Sequence, residues 1–418
     1  MNENALLLLG AILVLGIVAQ WVAWRLHLPS ILLLLLTGFL IGPVTGFIRP
    51  DELLGQTLFP LVSISVAVIL YEGGLSLKFS EFRQVGAVVR NMISIGILIT
   101  WGLATASAYY LLNFDLQLSL LLGAILTVTG PTVIIPLLRY VRPKARVSSI
   151  IKWEGILNDP IGAVLAVLMF ETILSGSIAG GIGDVALGIV KTLLAGGLLG
   201  YAGAWVLAEL LRRNWVPDFL QNPISLAIVA TVFVASNYVQ HESGLLTVTV
   251  MGVVLANQTR AQVKHIIEFK ENLRVLLIAT LFILLSARLE LESLTGLGLN
   301  DFLFVAALIL VIRPLSALVS SIGTNTSWRE SLFIGWMAPR GIVAAAVTSV
   351  FAFELKRIGI PGAERLVPII FLVIISTVTV YGLTALPLAH LLKLRLGKPQ
   401  GVLIVGAHAW ARALALKL

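Results

Sequence analysis

The chain has 418 residues, of which 58% are hydrophobic and 12% charged, with a mean hydropathy of +1.00, a balance too apolar for a soluble globular protein. Cysteine is absent, which excludes a disulfide framework and thiolate metal chemistry, and the five histidines are too scattered to form a ligand cluster. The net charge of +8 is topogenic, as its distribution below shows, so it does not point to nucleic acid.

Crossing about 30 Å of hydrocarbon takes roughly 20 apolar residues. Thirteen such runs follow one another, over 4–24, 29–48, 54–75, 85–112, 116–139, 147–173, 182–211, 221–239, 242–258, 272–290, 298–322, 329–353 and 364–392. The expectation is an all-α polytopic membrane protein. The N-terminus carries Glu3 and no basic region, which argues against a cleaved signal peptide. Alternate loops differ in Lys and Arg: one set holds Lys78, Arg83, Arg139, Lys144, Arg274 and Lys393 among others, while the opposing set holds Arg49, Lys191, Arg288, Lys356, Arg357 and Arg365. Positive charge collects on the cytoplasmic side, so the N-terminus is expected outside and the C-terminus inside the cell membrane. The basic segment 260–274 reads either as an amphipathic stretch along that face or as an ordinary charged loop.

Two runs carry a helix breaker beside polar residues. Thr127-Val-Thr-Gly-Pro-Thr132 contains Gly130 and Pro131; Met337-Ala-Pro-Arg-Gly341 contains Pro339 and Gly341. Proline removes an amide donor and glycine loosens the turn, so each run is expected to unwind within the membrane. One broken helix in each half of the chain is a mark of transporters built from inverted repeats, with the site at the midplane.

Ionisable groups in the membrane are costly and usually face a partner, a cavity or an ion path. The sixth run, IKWEGILNDP, holds Glu154, Asn158 and Asp159; Glu72 ends the third run and Arg340 lies in the twelfth. Arg340 demands a carboxylate, so Glu154 is expected to be its structural partner. Glu154 and Asn158, four residues apart, share a helix face, and Asp159 is turned about 100° further round. Asp159 is then the titrating, ion-contacting group. Thr129, Thr132 and Asn158 add oxygen ligands for a hard cation, and Glu72 either lines the site or snorkels to the interface. Three acids against one arginine leave a negative surplus that suits a cation.

With LYEGGLSL, TVTGPTVIIPLLR, KWEGILNDP and APRGIVAAAV in place, the chain resembles the cation:proton antiporter-1 family, in particular NhaP-like sodium/proton antiporters. The resemblance covers nearly the whole membrane part, residues 1–396. It implies a homodimer with dimerisation and core subdomains, two unwound crossing helices, an aspartate at Asp159 that carries ion or proton, support from Asn158, and a Glu154–Arg340 pair that holds the core. Many members have an aspartate where this chain has Gly130, so a possible carboxylate is removed from the site and the choice of cation is left open. Residues 397–418 look like the start of a truncated Rossmann-type regulatory domain of the TrkA-N kind, with Gly406 and Ala411 fitting a fragment of the G-x-G-x-x-G/A pattern; a short amphipathic tail is the alternative.

The expected function is secondary cation/proton antiport, Na+/H+ and electroneutral, through competition of cation and proton at Asp159. The alternatives are K+/H+ antiport regulated by a C-terminal nucleotide-binding domain and, further off, a cation channel, which should carry a filter such as TVGYG. No catalytic residues and no cofactor are expected beyond the transported Na+ or K+.

Overall fold

The computed structural model of the chain describes residues 3–396 apart from 27, 176–180, 262, 290 and 292–295, together with 406, 408, 409 and 412. Most of the tail expected to open a Rossmann-type domain lies outside the described residues; of the two residues fitted to its glycine pattern, Gly406 is described and Ala411 is not.

The described residues are helical throughout, with one isolated antiparallel bridge between Pro143 and Arg395. In chain order the helices are α1 Glu3–Leu26, α2 Ser30–Val44, α3 Pro50–Leu75, α4 Phe79–Leu112 and α5 Leu116–Ile125. There follow α6 Pro131–Val141, α7 Ala145–Ser175, α8 Gly181–Arg212, α9 Asp218–Val239 and α10 Ser243–Asn257. The last are α11 Lys264–Ala287, α12 Leu299–Ser320, α13 Trp328–Trp336, α14 Ile342–Arg357 and α15 Leu366–Leu391. Among the described residues eight stretches are long and apolar enough to cross a membrane, and α2, α5, α6 and α10 are shorter apolar helices.

Helix ends follow local chemistry. Asn113 closes α4 in the left-handed region (φ 54°), and the Asp115 side chain then caps α5 by accepting the Leu118 amide. Ser327 and Glu330 form a capping box at the start of α13. Large apolar side chains such as Leu7, Trp24, Leu198 and Phe219 stand exposed on the outside, as a lipid-facing surface requires.

The helices pack in two groups. One consists of α1, α2, α3 and α8 to α11, with α10 wedged between α8 and α3; the other consists of α4 to α7 and α12 to α15. The groups meet where α7 touches α3, α8 and α10, where α6 touches α3, where α14 touches α3 and α11, and where α15 touches α2.

The segment 260–274 departs from both expectations, because from Lys264 onward it is the first part of α11. Lys270 and Arg274 are buried rather than arrayed on a surface. The apolar run read from 272 marks where the charges stop, and the helix starts earlier because its polar residues find partners in α3 and α9.

Candidate functional site

Each breaker interrupts its helix. After Ile125 the chain closes with the tight bonds Thr127 N to Ala124 O and Val128 N to Ile125 O, then runs non-helical until Pro131 occupies the first turn of α6. Met337 ends α13 in the same way, and helix resumes at Ile342. The two unwound segments cross, and the Gly130 amide donates to the Pro339 carbonyl at 3.0 Å. A Cβ at Gly130 would lie 2.5 Å from the Gly341 Cα and 2.7 Å from its nitrogen. A Cβ at Gly341 would meet the Gly130 Cα equally closely. Both residues are extended, so it is the contact of two backbones and not a special φ that requires glycine. This adds a reason for Gly130 beyond the helix break. The position is not a vacant ligand place in an open site but the crossing point itself, and an aspartate would have to push the segments apart.

Gly162 of α7 serves the same end, since a Cβ there would press on Thr127 Oγ1 (2.6 Å) and on the Val128 amide (2.9 Å). The unwound segment therefore lies directly against the helix that carries Glu154, Asn158 and Asp159, all of them buried.

The partner of Glu154 is Arg313 of α12, whose Nη2 donates to Oε1 at 2.9 Å, with side-chain exposures of 3% and 0%. The expected Glu154–Arg340 pair is thus corrected. Arg340, fully buried, donates through Nη1 to the Val128 carbonyl at 2.8 Å, and its amide donates to Thr377 Oγ1 at 3.3 Å. A guanidinium suits that carbonyl because the unwound end of α5 carries the negative pole of the helix dipole. Arg340 still exerts its charge on both Glu154 and Asp159, from beyond contact distance. Asn158 donates from Nδ2 to Glu154 Oε1 at 2.8 Å, so Arg313 orients Glu154 and Glu154 orients Asn158.

Asp159 is different. It is fully buried, and neither carboxylate oxygen has a hydrogen-bond partner, although the Thr129 backbone amide faces it. Around it stand more buried polar atoms without partners: Asn158 Oδ1, Thr132 Oγ1, Glu154 Oε2, Arg340 Nε and Nη2, and the Tyr381 hydroxyl of α15. Buried polar atoms are nearly always paired, so a cluster of orphans marks a place made for water or an ion. Thr129 Oγ1 reaches the Gly155 carbonyl at 3.5 Å, a weak bond that an ion can displace.

Glu72 does not join this group. Arg274 Nη1 of α11 lies 2.8 Å from both of its oxygens, and Arg274 in turn approaches Glu271 at 3.7 Å. The expected surplus of negative charge is corrected accordingly: with Glu72 neutralised elsewhere, the crossing holds two acids and two arginines. One turn before Arg274, Lys270 donates to Ser225 Oγ at 2.8 Å and stands 3.3 Å over the Tyr71 ring.

A cavity of about 590 Å³ leads inward, lined by Thr132, Pro136, Arg139, Arg274 and Gly382 among others. Nearer the opposite end of α3, the cleft beside Val62, Glu242, Val343 and Phe351 holds about 30 Å³. Thr132 thus sits where the larger cavity meets the crossing.

Arg313, Arg274, Lys270 and Tyr381 were not singled out from sequence. The signal for Arg313 existed, because an arginine deep in the run 298–322 needs an acid as much as Arg340 does. For Tyr381 no signal exists, since a tyrosine in an apolar run is ordinary.

Residues 10–391 match the profile described as sodium/hydrogen exchanger, transmembrane. The K(+)/H(+) antiporter NhaP of Alkalimonas amylolytica is 28% identical over 404 residues, covering 95% of this chain and 68% of that protein. The Na(+)/H(+) antiporter 1 of Methanocaldococcus jannaschii is 28% identical over 357 residues, covering 84% of this chain and 83% of its own length. A solved structure of the sodium proton antiporter MjNhaP1 from the same organism superposes with a TM-score of 0.81 at 25% identity, covering 93% of this chain and 98% of that one. By profile, relatives and fold together, the chain belongs to the transmembrane sodium/hydrogen exchanger family and is a cation:proton antiporter.

Proposed function

We propose that the chain exchanges one sodium ion for one proton at Asp159, by alternating access, as a homodimer in the cell membrane with its C-terminus in the cytoplasm. The observation that carries this reading is the Asp159 carboxylate, buried and without a hydrogen-bond partner at the crossing of two unwound segments. A bare carboxylate in a dry interior costs several kcal/mol. Asp159 therefore holds either a proton or a cation, and each excludes the other. Thr129, Thr132 and Asn158 supply further oxygens to the cation, while Arg313 and Glu154 keep Asn158 aimed. Proton and monovalent cation carry the same charge, so replacing one by the other leaves the crossing at the same net charge. If the second helix group turns against the first only when Asp159 is neutralised, the two fluxes are coupled in opposite directions and are electroneutral.

Potassium is the second reading, favoured by relatives named K(+)/H(+) antiporters that span 94 to 95% of this chain. Dequenching of a pH-sensitive dye in proteoliposomes, with sodium, potassium and choline added in turn, separates the two. Wild type should dequench with sodium, unchanged by a valinomycin-clamped voltage, and Asp159→Asn should not dequench. Full-rate exchange by Asp159→Asn, or a rate that follows voltage, would sink the mechanism.

A further inference from the structure

The two helix groups are joined by one ion pair among the described residues. Arg139 of α6 meets Glu271 of α11 at 2.5 Å; the remaining pairs between described residues lie within one group or the other. The backbones of α6 and α11 otherwise scarcely touch, because the 590 Å³ cavity separates them and Arg139 and Arg274 both line it. Among the described residues two further polar bonds cross between the groups, Lys152 Nζ to the Ser76 carbonyl and the Phe79 amide to Asn257 Oδ1. Both lie at the turn from α3 to α4, where the chain itself joins the groups, and so cannot part far.

The pair does not stand free. Glu271 also faces Arg274 at 3.7 Å, and Arg274 is held by Glu72, giving the alternating series Arg139, Glu271, Arg274, Glu72. The inner half is buried, with exposures of 8% for Arg274 and 10% for Glu72, and belongs wholly to the first group. The outer half is wet, at 63% for Arg139 and 43% for Glu271, and it alone spans the gap. A buried, doubly bonded pair fixes the position of the carboxylate beside it, and a solvated pair can break and reform at little cost.

We propose that Arg139 and Glu271 are positioning residues that form a reversible latch across the mouth of the cavity, holding the broken helix α5–α6 in its cavity-accessible position and opening once per transport cycle. The proposal rests on the alternating-access reading above. Arg139 follows Thr132 by two turns on the same short helix, so displacement of α6 relative to α11 displaces the wall of the ion site. The latch favours the state in which the cavity opens onto Thr132 at the wall of the ion site. Its loss should raise the half-saturating cation concentration on that side about two- to fivefold, by lowering the population of the competent state.

Cysteine is absent from these 418 residues, which permits a clean test. Arg139→Cys/Glu271→Cys is reconstituted in proteoliposomes and treated with a short reversible bis-thiosulfonate, completion being scored by loss of free thiols. Exchange should stop on cross-linking and return with reductant, while each single variant with the same reagent keeps exchanging. In parallel, Glu271→Gln should show the raised half-saturation with little change in maximal rate. Choline chloride raised from 10 mM to 1 M should move wild type toward that value, since the screening length falls from about 30 Å to 3 Å. Full exchange by the cross-linked protein would show that α6 and α11 do not part, and a half-saturation equal in wild type and Glu271→Gln would show that the pair holds nothing. Either result, with wild type active, overturns the latch and leaves the exchange reading intact; wild type that exchanges no cation for protons removes both.

Discussion

The molecule buries charge in two places and treats it in opposite ways. Between α3, α9 and α11, Glu72 is bonded by Arg274 through both oxygens, and Lys270 has the Ser225 hydroxyl and the Tyr71 ring. At the crossing, Glu154 and Arg313 are paired, while Asp159 beside them is left with both oxygens free. The first arrangement lies within one helix group and keeps it whole. The second lies in the other group, where two helices are interrupted and backbone polar atoms are already free. Burial by itself is thus no mark of function here; the mark is burial without a partner, next to backbone that has given up its own hydrogen bonds.

The largest expected effect comes from Asp159→Asn. Cation-coupled exchange should fall to background while thermal stability holds or rises, because a neutral amide replaces a group that cannot stay charged unaided. A detergent melting curve beside the liposome assay checks it, and a folded variant that still exchanges would erase the distinction between the two regions. Next comes the pair that supports it. Glu154→Gln or Arg313→Gln leaves one buried charge without its partner and should cost about 3–5 kcal/mol of stability. Urea unfolding in detergent measures this, and the double variant Glu154→Gln/Arg313→Met should recover much of the loss if the pairing is as described.

Gly130→Ala should cost less, about 1–3 kcal/mol, since a single methyl must be fitted where two backbones touch. Gly130→Asp should cost more than Gly130→Ala. Should it prove stable and tighten cation binding, the crossing is looser than its geometry indicates, and the position belongs to the ion after all. The smallest effect is expected from Lys270→Met. Ser225 and Tyr71 remain bonded to each other at 3.0 Å, so stability should change by less than about 1 kcal/mol or increase, with exchange unaltered. A pH–rate profile shifted by that substitution would move Lys270 from the structural region to the working one.

Among these groups Glu271 is the one at the aqueous end of α11, and the Arg139 guanidinium holds its carboxyl below the usual carboxylate range. A depressed carboxylate contributes in full above its unfolded pKa, about 4.3, and loses its contribution only as pH falls through the lower folded value. Across neutral pH the Arg139–Glu271 contact should therefore respond to salt and not to protons. A half-saturation for cation that varies with choline chloride but holds its salt response between pH 6.5 and 8.5 is the expected pattern.

Much of this was legible in the sequence. Apolar runs of membrane length, the two breakers and the intramembrane acids are local features, and each constrains its own stretch of chain whatever surrounds it: a proline removes its amide donor anywhere, and an aspartate in hydrocarbon is costly anywhere. The helical breaks at 126–130 and 337–341, and the burial of Glu154, Asn158 and Asp159, follow from such local rules. Which arginine meets which acid does not follow. Arg313 and Arg340 are both single cations in apolar runs, and only the tertiary placement of α12 gave Glu154 to the first and left the second to the Val128 carbonyl. Gly130 likewise looked like a missing ligand until Gly341, more than two hundred residues away, was found against it. A pairing between distant helices is decided by their relative placement, which depends on every contact in the bundle, whereas the cost of an unpaired charge is a property of the residue itself.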